Sequence, residues 1–141
     1  MRAVSLFSSI GLAETYLEEL GIDIVLANEI DKKRADLYQH LYPKTEMICD
    51  NICEDKVTKE IVSKHKNIDI LIATPPCQGI SVANHKKKNE LRRNSLIVDS
   101  FLITKKILPK FFVFENVQSF LKTLCEDSDG QLVSIEQALY K

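Results

Sequence analysis

In "LIATPPCQGIS" (residues 71–81) an apolar run ends in a threonine, two prolines and a cysteine, Cys77. Pro75 and Pro76 each fix a φ angle and restrict the residue before them, so the backbone delivering the thiol is stiff. A thiol held at a strand end beside a glycine suits a nucleophile that must be placed accurately, although a buried cysteine can also act as a small hydrophobe. Glu115 follows the run "FFVF" 38 residues later. Apolar surroundings would raise its carboxyl pKa and let it carry a proton to a ring nitrogen; the plainer alternative is a helix-capping acid. Because both residues end apolar strands, they are expected to face one site.

Three more segments carry polar groups at strand ends. "LFSSIGLAE" is a small-residue turn around Gly11, able either to bring backbone close to a ligand or simply to turn the chain. Glu29 of "ANEID" lies 18 residues beyond Gly11, where a carboxylate can accept ribose hydroxyls in nucleoside-binding α/β folds or cap the next helix. Asp50 could accept a hydrogen bond from an exocyclic amine, or serve only as a turn residue. Cys49 and Cys53 are spaced i, i+4 with no second Cys or His pair to complete a zinc site, so no metal centre is expected.

Apolar runs alternating with helical spacing are expected to hold these residues, which is the pattern of βαβ units and a doubly wound, mostly parallel sheet. Strands are predicted at 3–7, within "IDIVLANE", near "EMICD", in "IDILIAT" and in "FFVFENV". Helices are predicted over "GLAETYLEELG", with Leu12, Tyr16, Leu17 and Leu20 on one stripe, over about 31–40, over about 54–64, from Asn94 or Ser95 onward, and in the terminal "GQLVSIEQALYK". In such a sheet ligands sit beyond the carboxyl ends of the strands.

The 141 residues are enough for one domain or part of one. With 45% hydrophobic and 28% charged residues, and no long apolar span, the chain reads as soluble and cytoplasmic, with its four cysteines reduced. A net charge of −1 argues against nucleic acid coating the whole surface. The segment "HKKKNELRR" (residues 85–93) is different, with five Lys and Arg against one Glu. By itself it could be no more than a solvated loop.

Taken in order, "LFSSIGLAE", "ANEID", "PPCQGIS", "RRNSL" and "FENV" resemble the motifs of the cytosine-5 DNA methyltransferases over nearly the whole chain. The resemblance implies a Rossmann-like fold that uses S-adenosylmethionine and methylates DNA as in restriction-modification systems. By that resemblance Cys77 attacks carbon 6 of a flipped cytosine, Glu115 holds ring nitrogen 3, and Asn116 props the cysteine loop. Phe7, Gly11, Glu29, Ile30, Asp50, Pro76 and Leu96 would line the cofactor pocket, while Gln78, Ser81 and Arg93 would approach DNA. The basic segment through Arg93 would be a flap over the flipped base.

This chain has Ser5 where the family usually has an acid before Leu-Phe, and Ile30 where an aromatic residue is common. It also matches only the family's N-terminal, catalytic portion. An arginine-bearing strand and a target-recognition domain are missing, so a complementary polypeptide or C-terminal region is expected to supply them. "FFVF" would otherwise be a bare sheet edge. Two other readings are a transfer-RNA cytosine-5 methyltransferase and a non-catalytic cofactor-binding or assembly subunit.

Overall fold

A computed structural model describes residues 1–76, 87–117, 120–127 and 129–140; for 87–95 it describes the backbone alone. The elements in chain order are β1 (Arg2–Leu6), β2 (Asp23–Asn28), α1 (Lys32–Leu41), β3 (Glu46–Ile48), α2 (Asp55–Lys64) and β4 (Ile70–Ala73), followed by α3 (Lys87–Ile107), β5 (Phe111–Phe114), β6 (Leu124–Glu126), β7 (Leu132–Ser134) and α4 (Ile135–Leu139). The first five strands form one parallel sheet in the order β3-β2-β1-β4-β5. Chain order reverses between β1 and β4, the switch point at which such sheets open a crevice.

Alternation along β1 and β4 sends Val4, Leu6, Leu71 and Ala73 to one face, where they pack with Val57 and Ile61 of α2 and Ile103 of α3. Ala3, Ile70 and Ile72 point to the other face, against Leu17, Ile22 and Ile24. A smaller cluster joins Ile97 and Phe101 of α3 to Phe120, Cys125 and Ile135. Asp31 caps α1 as its type predicts, its carboxylate accepting from the backbone N–H groups of Lys33 and Arg34. Among the described residues no helix is long and apolar enough to cross a membrane.

Three predicted elements differ. The segment after β1 is not an α-helix but two 3₁₀ turns, Leu12–Glu14 and Glu18–Leu20. Its backbone bonds run Glu14 to Gly11, Leu17 to Glu14 and Leu20 to Leu17, so the chain advances three residues at a time. Glu14 and Leu17 turn inward, three residues apart, while Leu12, Tyr16 and Leu20 are exposed. Second, α3 begins at Lys87, so the backbone of Lys87 to Arg93 is helical rather than a loop that precedes a helix from Asn94 or Ser95. No Gly or Pro lies between 87 and 107 to stop it.

Third, the C-terminal segment is not one helix. Leu132–Ser134 pairs antiparallel with Leu124–Glu126. The Asp127 carboxylate accepts from the N–H groups of Asp129 and Gln131, and Gly130 takes φ +74°, closing the hairpin. Helix α4 starts only after Ser134, whose hydroxyl accepts from Gln137 N–H while the Gln137 side chain accepts from Ser134 N–H.

Candidate active site

The β1 exit is tied to its neighbours by backbone groups. Phe7 and Ser9 both adopt positive φ, 58° and 51°, a conformation non-glycine residues hold only where the surroundings enforce it. Ser8 N–H donates to Asn28 O at 3.0 Å, and Thr74 Oγ1 donates to Phe7 O at 3.0 Å. Glu29 is buried, and both its oxygens are used: Oε2 accepts from Ser9 N–H at 2.9 Å and Oε1 from Asp31 N–H at 2.8 Å. Its carboxylate thus pins the β1 loop to the β2 exit and to the start of α1. Asn28, also buried, reaches the next strand, with Nδ2 donating to Ile48 O and Asp50 O at 2.9 and 3.0 Å.

These ties leave a cavity of about 280 Å³ at the carboxyl ends of β1 to β4. Phe7, Glu29, Ile30, Asp50, Pro76 and Leu96, expected to act together, all line it. So do Ser9, Asn28, Arg34, Asn51, Ile52 and Thr74, which motif reading did not single out. For most of these there was no signal beyond adjacency to a motif residue. Arg34 was detectable as a cation in the first turn of a helix that starts at the site. Apolar walls interrupted by a few polar groups are the usual make-up of a small-molecule site. The walls fit a nucleoside-bearing cofactor: Phe7, Ile30, Ile52 and Leu96 offer faces for a base, and Glu29 and Asp50 offer acceptors. Asp50 is salt-bridged to Lys56 at 2.9 Å, and that hydrogen bond, with the one from Asn51 N–H, holds its carboxyl below the usual range.

Gly11 lies elsewhere. Its φ is +85°, and a Cβ there would meet Tyr42 Cε2 at 2.2 Å and Tyr38 Cε2 at 3.0 Å. Tyr42 O–H donates to Gly11 O at 2.7 Å. The positive φ and the approach of two tyrosine rings each require a glycine at this position.

At the β4 and β5 exits, Asn116 Nδ2 donates to Pro75 O at 2.9 Å, two residues before Cys77. Glu115 N–H donates to Ala73 O at 3.1 Å, aligning the two exits. The Glu115 side chain is exposed, contrary to the expected apolar burial, because β5 is the last strand of the sheet and no element lies beyond it among the described residues. Cys77, Gln78 and Ser81 lie outside the described residues, as does the side chain of Arg93. Among the described residues no group of three or more His, Cys, Asp or Glu is placed to hold a metal ion.

Comparison with known proteins agrees with this geometry. The chain is 42% identical over 125 residues to the type II methyltransferase M1.HgaI of Avibacterium volantium, covering 84% of this chain and 35% of that protein. It is 36% identical over 121 residues to M.NgoPII of Neisseria gonorrhoeae, covering 86% and 34%. The chain therefore spans about a third of the length of these relatives. In fold it is similar to the Dnmt2 methyltransferase of S. pombe, with a TM-score of 0.58 at 22% identity over 87% of this chain and 38% of that one. The profile of the C-5 cytosine-specific DNA methylases matches residues 1–138, and the chain belongs to that family.

Proposed function

We propose that this chain is the cofactor-binding and nucleophile-bearing part of a DNA cytosine-5 methyltransferase of the restriction-modification type. The observation that carries the reading is the cavity in which Phe7, Glu29, Ile30, Asp50, Pro76 and Leu96 meet, directly preceding Cys77 in the chain. S-adenosylmethionine bound there supplies an electrophilic methyl group. Glu29 already orients the loops around it, and its remaining lone pairs suit ribose hydroxyls.

Cys77, as thiolate, forms a bond to carbon 6 of a cytosine turned out of the duplex. Glu115, protonated, donates to ring nitrogen 3 and so draws the electron pair that the attack pushes into the ring. Carbon 5 becomes nucleophilic and would take the methyl group as the sulfonium carbon–sulfur bond breaks, leaving S-adenosylhomocysteine. Water then accepts the carbon 5 proton as the Cys77 thiolate leaves carbon 6, and the ring nitrogen 3 proton returns to Glu115. Asn116 steadies the segment leading to Cys77 through Pro75 O. Gln78, Ser81 and Arg93 are assigned to DNA contact, and the positive charge of residues 85–93 suits phosphate.

Glu115 is exposed, and the described residues of this chain do not close over it. Exposed Phe111, Phe112 and Val113 on the edge strand support docking of a complementary polypeptide or C-terminal region, carrying the arginine-bearing strand and the target-recognition domain. The expected result is little methyl transfer by the 141-residue chain and restored transfer on adding that polypeptide. Cys77→Ser should abolish covalent trapping on a 5-fluorocytosine oligonucleotide, by at least about a hundredfold. Trapping that persists would remove Cys77 from the mechanism, and full sequence-specific activity from the chain alone would remove the partner.

A further inference from the structure

Glu14 does not line the cofactor cavity, yet it closes the loop that forms one of the cavity's walls. The side chain is 2% exposed; Oε1 accepts from Ser5 Oγ, and Oε2 has no partner among the described residues. Facing it from α1 is Tyr38, which is fully buried and near enough to feel the Glu14 carboxyl. The Tyr38 ring lies 4.7 Å from that of Tyr42, which holds Gly11 O. Glu14 N–H donates to the same Gly11 O at 3.2 Å. Side chain and backbone of Glu14 thus fasten both the base and the far side of the loop between Ser5 and Glu14. That loop carries Phe7 and Ser9 into the cavity in strained conformations.

A buried carboxylate with an unpaired oxygen is costly, and a buried carboxylic acid much less so. Among the described residues no cation faces Glu14. Glu14 lines a separate cavity of about 300 Å³, and the charged or titratable groups that share it are Glu18, Asp23, Tyr42, Lys44 and His65. Lys44 is spent on Glu18 at 2.8 Å, and His65 lies against Glu46 at 3.1 Å. We propose that Glu14 is a positioning residue for the cofactor cavity: as a neutral acid it packs beneath the Phe7–Gly11 loop with its second oxygen dry, and loss of its proton, although it strengthens acceptance from Ser5, draws water to that oxygen and loosens the loop. The proposal rests on the reading of that cavity as the S-adenosylmethionine site.

Burial pushes the Glu14 carboxyl above the ordinary range, outweighing the opposing pull of the Ser5 hydrogen bond. The Tyr38 hydroxyl is pushed up as well, by burial first and then by the nearby Glu14 charge. The folded chain therefore holds a proton that the unfolded chain releases. This contribution is fully present below the unfolded Glu14 pKa and is lost as pH rises through the raised folded value.

Two measurements on the full chain and on Glu14→Gln test this between about pH 4 and 8: the urea midpoint without ligand, and S-adenosylhomocysteine affinity by calorimetry. The wild-type midpoint should fall with rising pH relative to Glu14→Gln. Wild-type affinity should weaken several-fold, up to about tenfold, over the same range while the variant stays flat. Parallel midpoints would overturn the neutral acid. Diverging midpoints with pH-independent wild-type affinity would overturn the positioning role. Diverging midpoints with no binding by either protein would instead sink the cofactor reading, and this proposal with it. Should Glu14→Gln not fold, NMR titration of the wild-type carboxyl carbons decides: one glutamate titrating above the ordinary range supports the proposal, and none doing so overturns it.

Discussion

Gly11 illustrates how a motif residue and its physical role can part company. Its place in "LFSSIGLAE" suggested backbone offered to a ligand, whereas its neighbours are the rings of Tyr38 and Tyr42. Nothing in the spacing of residues 11, 38 and 42 announces that contact, because it depends on how α1 crosses the β1 loop. Gly11→Ala should therefore cost stability before any ligand is present. A left-handed alanine alone is worth about 1–2 kcal/mol, and Tyr42 would also have to give up its position and its hydrogen bond to Gly11 O. The check is the chemical denaturation midpoint of the unliganded chain; an unchanged midpoint would contradict this account. Glu29 is the opposite case. Its distance from the glycine turn marked it for a site, and the fold adds that its oxygens already hold Ser9 and Asp31 N–H groups.

At the scale of elements, the strands were the most legible features. "IDILIAT" and "AVSLF" are apolar enough to be buried on both faces, and β4 and β1 are. Two segments depart from their local spacing. Leu12, Tyr16, Leu17 and Leu20 have α-helical spacing, but burial of Glu14 against Ser5 selects a three-residue period instead. In "CEDSDGQLVS" the Asp-Gly pair is a hairpin signal, and it prevails over the helical run behind it. Ser134 is where strand gives way to helix, through a reciprocal capping box. Ser134→Ala should destabilise α4 by about 1 kcal/mol, seen as faster amide exchange in Ile135–Leu139 with β1 and β4 unaffected. Uniform loss of protection across the chain would mean that α4 is no separate unit.

At the scale of the whole molecule, the sheet is well covered around β1 and β4 and bare at β5. Phe111 and Val113 share the face of Ile70 and Ile72, yet are 61% and 51% exposed. An apolar parallel strand with a free edge pairs with whatever backbone is available. The chain on its own should self-associate with rising concentration, and Val113→Lys should raise the monomer fraction in sedimentation velocity. A monomer at every concentration would argue that this edge is already satisfied. The same bareness accounts for the exposed Glu115, for which an apolar setting was expected.

By itself the sequence determined the family, the parallel α/β class and which strand ends carry the chemistry-bearing residues. Those properties reside in residue types and in periods of two and three to four, which are local. Only the tertiary structure decided that six of these residues share one cavity, that Gly11 serves Tyr42, and that Glu14 is buried beneath the loop it closes. It also decided that Glu115 faces water. Each of those outcomes depends on contacts between segments far apart in the chain, and therefore on strand order and on which elements remain uncovered.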